Sequence, residues 1–300
     1  MTPPEEEPEQ RVPAPGWIAL VLPRPPRVVL RSLIRMTVFL VLTVVLWWTL
    51  AGLITPFVDA LVASALTLGL AVLATTALMM RLYEMRPFPV VGLFLNRNGA
   101  VHLGAGLALG AGSSLTVVAV QWACGWARLE PAAPEAGWTG SLVFGFVILL
   151  LGATGEELLF RGYGFQHLVS AFGPRFSIVS TSALFAWAHT ANPSFTRVGM
   201  INTALFGMVF GYAWWRTRDL WLPLGMHFAW NFSLAGVGAN VSGLKIKLMG
   251  TAVVATGPAL WTGGDYGPEA SLMVTFVLIA VMVFLWKARM GRQEQGIVCE

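Results

Sequence analysis

Residues 138–161 read WTGSLVFGFVILLLGATGEELLFR. The first eighteen are almost wholly apolar. Two adjacent glutamates and an arginine then follow within six positions. The apolar part is long enough to cross a bilayer as a helix, which takes about 20 residues. A charge inside such a segment costs at least about 2.5–3.5 kcal/mol and therefore needs a partner. Glu157 and Arg161 stand four apart and can pair along one helix face. Glu156 lies about 100° round from Glu157. It stands five residues from Arg161, poor geometry for pairing, and is left without an obvious partner.

The rest of the chain sets the same scene. Of its 300 residues, 56% are hydrophobic and 11% are charged, against about 25% charged in ordinary soluble domains. Apolar stretches of spanning length recur at roughly 36–54, 58–80, 101–123, 139–160, 174–190, 199–215, 221–241 and 270–287. The fifth and sixth are short and carry Ser, Thr or Asn. None alternates as barrel strands do. The reading is an all-α, polytopic integral membrane protein of about eight transmembrane helices around a polar intramembrane cavity.

Flanking charge gives the expected orientation. Of the 19 Lys and Arg residues, all but Arg128, Arg197, Lys245 and Lys247 fall on one set of alternate non-membrane segments. That excess places both termini in the cytoplasm, at the plasma membrane if the source is bacterial. Residues 1–30 read as a disordered, Pro-rich cytosolic arm with no signal-peptide core. Residues 31–290 form the membrane domain, with its motif-bearing core at about 140–235, and 291–300 a cytosolic tail. Basic residues scattered at segment ends give no nucleic-acid footprint. Two cysteines, Cys124 and Cys299, are too few for a disulfide framework or thiolate metal site.

Two more apolar segments carry polar groups at helical spacing. Phe185 and His189 are four apart in FAWAH, and His227 and Asn231 are four apart in HFAWN. A lone membrane histidine most often bonds a neighbouring helix. Two histidines, an asparagine and an unpaired glutamate on separate spans favour one shared cavity. Glu156 reaches the depth of His189 only if the fourth helix continues past Arg161 to about Phe172. That helix must tilt or bend, with Arg161 buried beside Glu157. His102 and His167 read as interface residues, Asp219 as solvated, and Asn202 as a cavity or helix–helix group. Gly207 and Gly211 form a close-contact GxxxG.

A carboxylate in such a cavity can serve as a general base, helped by a histidine. A second histidine and an amide can donate to a developing oxyanion. No GxSxG or HExxH is present. Taken in order, E-E-x-x-x-R (Glu156, Glu157, Arg161), F-x-x-x-H (Phe185, His189) and H-x-x-x-N (His227, Asn231) resemble the motifs of the CPBP intramembrane proteases. That family, also called Abi, includes the type II CAAX prenyl endopeptidases. The resemblance covers roughly residues 140–235.

It implies an endopeptidase with its site inside the membrane, open toward the cytoplasm. Glu156 would activate water with His189, and His227 and Asn231 would form the oxyanion hole. Glu157 and Arg161 would hold the fourth helix, and Phe185 would pack near the site. The substrate would be a membrane-associated peptide or protein, possibly lipidated. Glu156, His189 and His227 could instead form a Glu–His₂ zinc site, although zinc sites usually draw two ligands from one short motif. The preferred expectation is hydrolysis without a cofactor, with Zn²⁺ as the alternative. A transporter lacks support from inverted repeats. A non-catalytic scaffold or immunity protein of the same fold is the third reading.

Overall fold

The computed structural model describes residues 25–132, 138–246, 248–293 and 296–297. Most of the expected arm, Lys247 and Cys299 lie outside the described residues. The chain is built mainly of helices. These are α1 (Pro26–Ile54), α2 (Ala60–Met79), α3 (Arg97–Ala123), α4 (Trp138–Arg161), α5 (Tyr163–Ala188), α6 (Arg197–Thr217), α7 (Trp221–Val237), the short α8 (Ala259–Thr262) and α9 (Leu272–Lys287). A two-stranded antiparallel ribbon joins β1 (Ala127–Pro131) to β2 (Thr251–Ala255). The apolar reading did not anticipate this ribbon, whose short strands carry no long hydrophobic run.

Local sequence sets the helix starts. The Asp59 side chain accepts from the amides of Leu61 and Val62, each at 3.0 Å. Asn96, Thr196 and Ser271 cap α3, α6 and α9 in the same way. Each cap satisfies an amide that has no partner within the helix. Pro26, at the first position of α1, has no amide to satisfy. That helix starts inside the expected arm of residues 1–30. At the other end of the chain, Gln293 is buried. Its side chain exchanges two hydrogen bonds with Asn96, and its amide donates to the Thr217 carbonyl.

The long fourth helix bends where glycine permits it. Gly162 leaves helical geometry between α4 and α5, and a Cβ there would sit 2.2 Å from the Leu158 carbonyl oxygen. Gly173, at φ 79°, breaks α5 again just before Pro174. Pro174 disfavours helical backbone in the residue before it. Residues 163–172 therefore form a separate piece that continues past Arg161, and the chain then returns through residues 174–188 to His189.

Close approaches between helices place the site. A Cβ on Gly155 would stand 2.9 Å from the Gly69 Cα, so α4 lies backbone to backbone on α2 beside Glu156. Gly207 meets Ser182 and Gly211 meets Ile178, which makes the expected GxxxG the seam between α6 and α5. The tightest seam joins α3 to α7, where a Cβ on Gly110 would lie 2.3 Å from the Met226 carbonyl oxygen. Gly110→Val should therefore lower the melting midpoint in detergent, costing about 1–3 kcal/mol. Gly112→Val, on the same helix with nothing within 4 Å, should leave the midpoint unmoved.

Among the described residues, four helical segments are long and apolar enough to cross a membrane: Pro26–Ile54, Ala60–Glu84, Arg97–Ala123 and Gly140–Ala191. The last runs through α4 and α5 and contains two of the expected spans. By length and apolarity alone, the expected count of about eight is therefore not reached. Helix α7, at 17 residues, is too short to be counted, and it is also enclosed. Every residue from Leu222 to Trp230 is buried, so its outer faces need not suit lipid. Helix α1 is the opposite case, exposing Leu30, Val41, Val45, Trp48 and Leu53.

Candidate active site

Glu156, near the end of α4, projects toward two imidazoles. Its Oε2 stands 4.0 Å from His189 Nε2 and 3.8 Å from His227 Nε2. Both distances exceed a direct hydrogen bond. This Oε2 is shielded from solvent and has no hydrogen-bond partner, although the side chain as a whole is 27% exposed. The depth match between Glu156 and His189 thus holds.

Each ring is fixed through its other nitrogen. His189 Nδ1 lies 2.8 Å from the Phe185 carbonyl oxygen. A carbonyl can only accept, so Nδ1 carries the hydrogen. His227 Nδ1 lies 2.8 Å from Glu157 Oε1, which also accepts from Arg161 Nη1 at 3.1 Å. Here too Nδ1–H donates. Both Nε2 atoms are left facing Glu156. Phe185 packs on the His189 ring at 4.5 Å between centroids, and Phe210 stacks on His227 at 5.2 Å.

Glu157 and Arg161 are fully buried and paired, as expected. Arg161 Nη2 also donates to the Gly207 carbonyl at 3.1 Å. The rings of Phe160, Phe185 and Phe210 surround its guanidinium at 5.7, 4.8 and 5.4 Å. The bond from His227 to Glu157 was not foreseen, and it ties the helix-holding pair directly to the site. Asn231 is half-buried one turn beyond His227 on α7. Among the described residues, no hydrogen bond joins it to the others. As for zinc, among the described residues no group of three or more His, Cys, Asp or Glu is arranged to hold a metal ion.

Residues 138–233 match the family "Type II CAAX prenyl endopeptidase Rce1-like". This Rce1-like segment runs from the start of α4 into α7 and contains all seven motif residues. Searches of curated proteins and of solved structures found no match. The family match and the apolar helices together mark an integral membrane protein and support an intramembrane protease in general.

Several polar residues are placed differently from their sequence reading. His102 is buried on α3 and bonds Asp219, in the turn between α6 and α7, so neither is solvated. His167 is buried against Glu84 at 3.2 Å, and Glu84 also holds Arg35 and the Tyr163 hydroxyl. Asn202, by contrast, takes the helix-contact alternative of its reading: its amide donates to the carbonyls of Glu269 and Ser271, and its oxygen accepts from Thr275.

Glu269, in the turn before α9, lies outside the Rce1-like segment and was not singled out. It is buried, and its carboxylate accepts from Trp230 Nε1 at 3.0 Å, from Ser242 Oγ at 2.8 Å and from the Ser242 amide. Burial pushes the Glu269 carboxyl above the usual carboxylate range, against the pull of the Ser242 bonds and the His189 ring. Its sequence signal, an acidic residue just before an apolar helix, reads as an ordinary helix start.

Proposed function

We propose that this chain is an intramembrane endopeptidase in which Glu156 activates a water molecule against a peptide carbonyl. One observation carries the reading: a shielded, unpartnered carboxylate oxygen faces two imidazole nitrogens whose far sides are tied down. A water between them can donate one hydrogen to Glu156 and the other to His189 Nε2. Glu156 takes the proton as the water oxygen bonds to the carbonyl carbon. The proton then passes to the amine, the C–N bond breaks and the carboxylate is restored.

The developing oxyanion needs donors. His227 supplies one when its Nε2 is also protonated, and Glu157 on the opposite side of the ring balances that charge. Asn231 supplies the second through its amide. Arg161 holds Glu157 in place. This role for Glu157 goes beyond holding a helix. The substrate is a peptide or protein presented at the bilayer, with a CAAX-like, lipidated C-terminus as the first class to try. Both termini lie on the cytoplasmic side.

The test is a peptide panel, farnesylated and plain, offered to purified protein in proteoliposomes with and without a zinc chelator. Cleavage that survives chelation supports the glutamate mechanism. Cleavage lost with chelator and restored by zinc would make Glu156, His189 and His227 ligands instead. A well-folded protein that cuts no peptide would favour the scaffold reading.

A further inference from the structure

We propose that Glu269 is a positioning residue for this site, fixing the α7 face that carries His227 and Asn231. The catalytic consequence rests on the endopeptidase reading above. Two observations converge on the residue.

The first is its reach. Oε1 holds the Trp230 indole at 3.0 Å, and Trp230 precedes Asn231 and lies three residues from His227. Oε2 holds Ser242 through amide and hydroxyl, fixing the loop after α7. The Glu269 carbonyl accepts from Asn202 of α6 at 2.7 Å. One residue thus ties α6, α7, the loop and the start of α9 together. Trp230 also packs edge-on against Phe206 of α6, at 4.8 Å between centroids. The rotation of α7 is thereby set from both sides.

The second is the way it is held. Trp230 Nε1–H and the Ser242 amide can only donate, so each carboxylate oxygen accepts from an obligate donor.

The experiment compares wild type, Glu269→Gln and Glu269→Asp on the peptide that wild type cuts. Glutamine keeps the size but sets its NH₂ against either the Trp230 indole or the Ser242 amide, donor to donor. We expect kcat to fall about tenfold to a hundredfold, the scale of a 1 Å misplacement, with KM within about twofold. Aspartate should recover most of the loss. In parallel, the imidazole NMR signal that disappears in His227→Gln should shift in Glu269→Gln and return toward its wild-type position in Glu269→Asp.

Unchanged kcat together with an unmoved His227 signal would overturn the proposal. If wild type cuts nothing and the signal still shifts, the link from Glu269 to the α7 face stands and the protease reading fails. Should Glu269→Gln not fold, Ser242→Ala replaces it. That variant removes one donor to Oε2 and should move the same signal by a smaller amount, and no movement would count against the proposal.

Discussion

Glu156→Gln should abolish peptide cleavage, by about 10³-fold or more, while the protein folds as before. General-base groups contribute typically about 10²–10⁴-fold, and glutamine cannot take a proton. Little in the fold depends on the carboxylate. Its Oε2 has no hydrogen-bond partner, and its separations from His189 and His227 are 4.0 and 3.8 Å. Removing an unpaired, shielded negative charge should leave the melting midpoint unchanged or slightly raised. A variant that loses its fold along with its activity would show that Glu156 is structural.

Arg161→Met should do the opposite and destabilise the whole molecule. Arg161 is entirely buried, pairs with Glu157, holds the Gly207 carbonyl and is ringed by three phenylalanines. Methionine fills much of the volume but leaves Glu157 as a buried charge facing only His227. Breaking a buried pair from one side costs about 3–5 kcal/mol. Thermal melting in detergent should show a fall of several degrees. Arg161→Lys should recover little, because one ammonium cannot reproduce the fork that reaches both Glu157 and Gly207. A midpoint equal to wild type in Arg161→Met would remove the pair from this account.

The two variants separate chemistry from scaffold because adjacent glutamates have different surroundings. That difference was legible in the sequence: Glu157 and Arg161 stand four apart, and Glu156 does not pair at that spacing. The need for the chain to continue past Arg161 was also legible, since Glu156 and His189 could not otherwise share a depth. The breaks at Gly162 and Gly173 were not located, because glycine in an apolar run also serves close helix contact, as Gly155 and Gly207 do here.

What escaped the sequence depends on distant pairings. His102 and Asp219 are separated by 117 positions, and His167 and Glu84 by 83. From local sequence the two histidines read as interface residues and Asp219 as solvated, and nothing nearby marks Glu84. The bond from His227 to Glu157 spans 70 positions, and local spacing cannot signal it. Burial inside the bundle likewise lets α6 and α7 carry Asn202, Thr203 and His227 within apolar stretches.

The most direct test of the central claim is mass spectrometry of peptides incubated with wild type and Glu156→Gln in proteoliposomes made up in ¹⁸O-water. The account predicts a cut peptide bond from wild type alone, with one ¹⁸O in the new C-terminal carboxyl group. Equal cleavage by both proteins, or none by a folded wild type across farnesylated and plain peptides, would contradict it.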